Sequence, residues 1–255
     1  MPLMTPEDFE ESLKSMRPRV YMNGKRIDNI LENPNTRTVV ESNKASYGWA
    51  LEPKSKDVMS CYSPLIDDRV NRYTHVSTDI EDLVKKAEAG TFTAERLGTC
   101  IYRCVGYDAF HALAATTWEM DKDLGTEYQP RFIEFLKMVQ LKDLSVAGAL
   151  TEPRGRRDKK TLDWPDPYLS LKMVEKNDKG IVVRGAKINI SGAFASHELV
   201  VMPQSSHRKG EEDYAVAFAT PADAKGITYV CQFSPYSAER EMADDLHELR
   251  FLKYR

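Results

Sequence analysis

TAERLGTCIYRCVGYDAFHALAATTWEMDKDLG, residues 93–125, decides how the first half of the chain is read. Small and apolar residues recur at Leu97, Ile101, Cys104, Val105, Ala109, Ala112 and Leu113, steps of three and four that predict one long buried helix. Thr91 or Thr93 can cap it, Glu95 falls in its first turn, and Gly125 can stop it. On such a helix Cys100 and Cys104 share one face, with Cβ atoms roughly 5–6 Å apart. A disulfide wants its Cβ atoms nearer about 3.8 Å, so a mutual bridge would strain the helix. A shared metal or iron–sulfur cluster suits the spacing better, although two cysteines are only half of a cluster site. The competing reading is two small core residues, because free Cys is among the most buried types, and spacing alone favours it.

Outward from this stretch, 255 residues can bury a substantial core in one large domain or two smaller ones. A formal charge of −3 gives no global reason to expect nucleic-acid or membrane binding. Four cysteines are too few for a disulfide scaffold, and the start MPLMTPEDFEESL lacks a basic region followed by an apolar core. The expectation is a reducing cytoplasm. No apolar run approaches the roughly 20 residues that span a bilayer.

Before the cysteine stretch, Thr5-Pro6-Glu7-Asp8 followed by Phe9, Leu13 and Met16 predicts a capped short helix. Asn23-Gly24 predicts a hairpin turn. A helical pattern from Val39 to Val58 includes Tyr47, Trp49, Ala50 and Leu51, with Pro53 ending it. Residues 63–78 read as a loop carrying Arg69, Arg72 and His75, which could meet phosphates or carboxylates but more often meet water. Ser77-Thr78-Asp79 caps a helix through Ile80, Leu83 and Val84, and Pro130 begins another through Phe132, Phe135, Leu136 and Val139. Residues 1–143 are thus expected to be almost entirely helical.

The period then changes. Residues 143–163 form a Gly/Pro-punctuated loop in which Arg154, Arg156 and Arg157 could hold a pyrophosphate, although a solvated basic turn is the commoner explanation. Strands are predicted over 169–176, 180–191, 198–203, 214–220 and 227–233, with Cys231 assigned to packing. Ser191-Gly192-Ala193 ends the longest of them and offers a hydroxyl and backbone amides. The fold class is α+β: a helical domain at 1–143 followed by a β domain at 144–255.

RVYMNGKRIDN (19–29), RVNRYTHVSTDIEDLVKK (69–86), CIYRCVGYDAF (100–110), GALTEPRGRR (148–157) and GIVVRGAKINISGAFASHELVVMP (180–203) together resemble the N-terminal half of the 4-hydroxyphenylacetate 3-hydroxylase superfamily. Within it the wording is most similar to the 4-hydroxybutyryl-CoA dehydratases, also called vinylacetyl-CoA Δ-isomerases. The resemblance implies an acyl-CoA-dehydrogenase-like fold: helical N-terminal domain, central β-barrel, and a C-terminal four-helix bundle absent here. It implies FAD and a [4Fe–4S] cluster, with Cys100 and Cys104 as two of the cluster ligands. It also implies flavin contacts from Leu150, Thr151, Glu152, Pro153, Arg154, Gly155, Arg156 and Arg157, and from Asn189, Ile190 and Ser191.

Two positions depart from the expected dehydratase wording: Leu150 stands for methionine, and Tyr102 for the glutamine between the cysteines. The remaining cluster ligands and the acid–base residues are expected beyond residue 255, so no catalytic residue is assigned within this chain and the barrel is expected to be incomplete. The implied substrate is an acyl-CoA, and the implied assembly is a homo-oligomer, a tetramer in full-length relatives. A separate C-terminal polypeptide is a further possible partner. Two other readings stand beside this one: a reduced-flavin-dependent hydroxylase in which the cysteines are structural, and an inactive truncated or split-gene product.

Overall fold

The computed structural model describes residues 2–98, 103–153, 159 and 161–231, and does not describe the side chains of 104–107. Helix α1 (Pro6–Ser15) starts as its sequence dictates: the Thr5 hydroxyl accepts the Asp8 N–H, and the Asp8 carboxylate accepts the Thr5 N–H. Such a cap stabilises a helix by about 1 kcal/mol. Phe9 and Leu13, one turn apart, are the buried face. Strands β1 (Val20–Met22) and β2 (Lys25–Ile27) form the hairpin expected at Asn23-Gly24. Helix α2 (Pro34–Leu51) is capped by Asn33 and packs on α1, with Phe9 and Tyr47 stacked at 4.5 Å.

The expected 39–58 helix ends at Leu51, and a separate short helix α3 (Lys56–Met59) follows. Residues read as a loop contain a second hairpin, β3 (Ser60–Ser63) and β4 (Asp68–Asn71), and a 3₁₀ turn at Arg72–Thr74. The N-terminal region is therefore less uniformly helical than its pattern implied. Its four-residue strands are too short to show a period.

The single helix expected over 93–125 is not formed. Helix α4 (Ile80–Leu97) is capped by Asp79 and stopped at Gly98, whose φ of 62° is left-handed. Helix α5 (Cys104–Leu124) starts afresh after Arg103 and ends at Gly125. Apolar periodicity runs through the junction because both helices pack inward, so it hid a break that Gly98 alone signals. Cys104 opens α5, whereas Cys100 lies outside the described residues, so the shared-face argument loses the continuous helix on which it rested. Helix α6 (Tyr128–Leu141) lies against α5, with Phe110 packed near Phe132 and Phe135.

The expected division between 143 and 144 falls in the turn from α6 into strand β5 (Val146–Ala149), where Asp143 has a φ of 44°. The sequence reading missed β5. Its small residues Val-Ala-Gly-Ala are buried throughout, so it lacks the alternation of a half-exposed strand. Strands β6 (Lys172–Asn177) and β7 (Gly180–Arg184) form a hairpin, so the long strand expected over 180–191 ends early. A Cβ on Gly185 would meet the Ser170 carbonyl oxygen at 2.4 Å, and φ there is 150°; this contact needs glycine.

Strands β8 (Glu198–Val201), β9 (Phe218–Pro221) and β10 (Tyr229–Cys231) complete the series. A 3₁₀ turn at Glu212–Tyr214 occupies the start of the strand expected over 214–220. Among the described residues the ladders make four sheets: β10-β1-β2, β3-β4, β5-β8-β9 and β6-β7. β5 runs parallel to β8, and β1 runs parallel to β10 with Val20 opposite Tyr229. One core joins Phe9, Leu13, Val20, Val40 and Tyr47 to Phe194 and Ala195, so helices from the start of the chain close over residues from its β region. Fully burying one such side chain contributes about 1.5–3 kcal/mol.

Candidate cofactor site

Parallel pairing of β5 with β8 brings the ends of both strands to one place, with Ala149 opposite Val201 and the ladder continued by the Met202 N–H to the Ala149 carbonyl at 3.2 Å. Leu150–Pro153 leave from one strand and Met202–Gln204 from the other. The segment after β7 crosses both. Lys187 Nζ donates to the Leu150 carbonyl at 3.1 Å, the Met202 carbonyl at 2.8 Å and Glu152 Oε1 at 2.7 Å. The neighbouring Ile188 N–H donates to the Thr151 carbonyl at 2.9 Å, and the Glu152 N–H donates to Gln204 Oε1 at 2.6 Å.

Both members of the Lys187–Glu152 pair are nearly enclosed, with side chains 10% and 9% exposed. Burial pulls the Lys187 pKa down, and Glu152 pulls it back up. Three acceptors match the three protons of an ammonium, which is how a buried lysine keeps its charge. The two stretches expected to contact flavin, around 150–153 and 189–191, are thereby brought together. At their rim Leu150, Asn189 and Ser191 are exposed, while Thr151, Pro153 and Ile190 are half-buried. Asn189 has a φ of 56°, and Ile190 packs into the β core. Arg154, Gly155, Arg156 and Arg157 lie outside the described residues.

Cys100 and the side chain of Cys104 are likewise outside the description. Burial pushes the thiols of Cys61 and Cys231 up to about 11, which keeps them protonated near neutrality. Among the described residues no three His, Cys, Asp or Glu side chains converge on a metal position.

Two buried polar clusters escaped the sequence reading. In the first, Arg72 and His75 are enclosed rather than solvated: Arg72 Nε donates to the Val58 carbonyl at 2.6 Å, and His75 Nε2 sits 2.9 Å from Asp82 Oδ2. Burial would raise the Asp82 pKa, but hydrogen bonds from His75 and Thr78 outweigh it and hold the carboxyl at about 2. Ser77 N–H donates to His111 Nε2 at 2.8 Å, which carries this cluster to α5. Asp82, three residues after the cap Asp79, is the local signal for it.

In the second, Arg103, the residue before Cys104, is 1% exposed and bonds Asp143 Oδ1 at 3.1 Å. Its guanidinium carbon lies 4.2 Å from the Tyr47 ring centroid. No spacing in the sequence connects partners 40 residues apart.

The family profile described as 4-hydroxyphenylacetate 3-hydroxylase N terminal matches residues 5–252. The chain belongs to the 4-hydroxyphenylacetate 3-hydroxylase N-terminal family. Relatives of this hydroxylase-family chain include the 4-hydroxybutyryl-CoA dehydratase/vinylacetyl-CoA Δ-isomerase of Clostridium aminobutyricum, 40% identical over 225 residues, or 88% of this chain and 46% of the relative. An oxygen-tolerant archaeal 4-hydroxybutyryl-CoA dehydratase from N. maritimus superposes with a TM-score of 0.86 at 36% identity, covering 89% of this chain and 45% of that one. The oxygenase component of a 4-hydroxyphenylacetate 3-monooxygenase, complexed with FAD, superposes with a TM-score of 0.74 at 25% identity, covering 89% and 46%. This hydroxylase-family chain spans about half the length of the curated relatives it matches.

Proposed function

We propose that this chain forms the N-terminal part of a flavin- and [4Fe–4S]-dependent 4-hydroxybutyryl-CoA dehydratase that also isomerises vinylacetyl-CoA. The observation that carries the reading is the ordering of similarity: 40% identity to the clostridial dehydratase, against 25% to a Thermus thermophilus monooxygenase oxygenase component. The solved structures follow the same order, with TM-scores of 0.86 and 0.74. The acyl-CoA-dehydrogenase-like arrangement, the division at 143 and 144, and the homo-oligomer are parts of the same proposal.

The donor set at the ends of β5 and β8 supports FAD. Hydroxyls of Thr151 and Ser191 and the amide of Asn189 both donate and accept, as the polar edge of a flavin requires. Leu150 offers an apolar side chain beside them. Cys100 and Cys104 would supply half of the cluster ligation. When bound, flavin supplies one- and two-electron redox chemistry and the cluster supplies Lewis acidity. The chain's own residues hold and orient: the Lys187 latch fixes the 150–152 backbone, and the Arg103–Asp143 pair anchors the start of α5 beside Cys104.

The test is anaerobic co-production with a C-terminal half from the dehydratase family, followed by iron, sulfide and flavin analysis and assay of crotonyl-CoA formation. The expected result is a brown flavoprotein that forms crotonyl-CoA and loses its iron in a Cys100→Ser/Cys104→Ser variant. Turnover with full retention of activity in that variant, or phenol hydroxylation with reduced flavin instead, overturns the reading.

A further inference from the structure

The cofactor loop is held from one side in a way its own sequence does not explain. Four acceptor or donor groups on three consecutive residues, the Leu150 and Thr151 carbonyls and the Glu152 amide and carboxylate, are each bonded, three of them by Lys187 or its neighbour Ile188. A trans peptide points its C=O and N–H in opposite senses. Turning the Thr151 carbonyl onto Ile188 therefore turns the Glu152 N–H the other way, where Gln204 Oε1 accepts it at 2.6 Å. By the same geometry, drawing the Leu150 carbonyl onto Lys187 Nζ at 3.1 Å points the Thr151 N–H away from the latch.

We propose that Lys187 is the positioning residue of the cofactor loop, setting the peptide orientation that presents the Thr151 amide, and with it the Leu150 side chain, to flavin. The inference rests on the flavin reading given above. It assigns a role to a residue outside the flavin-contacting stretches and touching no cofactor itself. A lysine is suited to this because one ammonium can satisfy three acceptors in different directions. An ion pair with Glu152 alone would leave the two carbonyls unbonded.

The test separates orientation from mere stability. Unmodified chain, K187M, E152Q and the double variant K187M/E152L, each with the C-terminal half present, are titrated with FAD by fluorescence quenching. Amide hydrogen exchange over 148–153 and urea unfolding are followed in parallel. K187M is expected to weaken FAD binding about tenfold, shift the bound flavin spectrum and speed exchange at 150–152, as loss of one or two charge-assisted bonds implies. E152Q keeps an acceptor for Nζ and is expected to keep amide exchange at 150–152 slow, whatever Glu152 itself gives to flavin.

The double variant removes the uncompensated buried charge and is expected to regain stability while exchange at 150–152 stays fast and FAD affinity stays low. Recovery of FAD affinity together with stability assigns Lys187 a purely structural role and overturns the proposal. If unmodified protein binds no FAD, the flavin reading falls and the positioning role falls with it. Faster exchange in K187M would then still report the latch, so the two failures are told apart.

Discussion

His197 sits where α1 meets the β region, and its hydrogen bonds fix its tautomer. Nδ1 accepts the Ser145 N–H at 2.9 Å, so the neutral ring carries its proton on Nε2, which donates to Ser12 Oγ at 2.7 Å. The Ser12 hydroxyl passes the chain on to the Phe9 carbonyl at 2.6 Å. A second proton has nowhere to go without breaking the Ser145 bond. Burial first, and the Arg103 charge second, lower the His197 pKa from 6.5 to about 4. The unfolded chain therefore takes up this proton first as the medium is acidified. The stabilising contribution is complete above pH 6.5, declines as pH falls toward about 4, and then levels off. The expected loss across that window is about 2–3 kcal/mol. Urea midpoints measured from pH 7 to 4 check it. His197→Asn, which keeps an acceptor for Ser145, is expected to flatten that part of the profile.

Elements in this fold are decided mostly at their ends. Thr5 and Asp79 cap α1 and α4 as expected because a cap is a local bond between a side chain and an amide two or three residues on, which sequence displays directly. The junction between α4 and α5 was not legible because apolar spacing continues across Gly98. The short strands β3, β4 and β5 were equally hidden. Val146–Ala149 is a strand because β8 lies beside it, and a four-residue run carries no sign of that neighbour. The stretches expected to contact flavin are visible only through the resemblance, and their joining through Lys187 needs the fold. Gly185 gives the element-scale prediction. A methyl group there would stand 2.5 Å from Leu171 Cα, backbone that cannot move aside cheaply. Gly185→Ala is expected to destabilise by more than about 2 kcal/mol and to displace the β6–β7 hairpin. Guanidinium unfolding and limited proteolysis within 165–185 check it. An unchanged midpoint would show that the backbone yields.

At the scale of the whole molecule, Tyr229 ties the parts together. Its N–H donates to the Arg19 carbonyl at 2.9 Å, its hydroxyl donates to the Ala222 carbonyl at 2.6 Å, and its ring packs against both the helical core and the β core. Tyr229→Phe is expected to destabilise by about 1 kcal/mol, the net worth of one hydrogen bond. Tyr229→Ala is expected to destabilise by about 3 kcal/mol and to weaken both cores together. Tryptophan fluorescence and far-ultraviolet circular dichroism recorded on the same denaturation should stay coincident in both variants; separate transitions would show that the two cores unfold independently.

The parallel register of Val20 with Tyr229 also has a consequence in time. About 200 residues separate the two strands, so at roughly 5–20 residues per second a ribosome takes on the order of 10–40 s to deliver the partner after the first strand has emerged. Throughout that interval the nascent chain carries an unmatched edge, open to pairing with any other unpaired strand it meets.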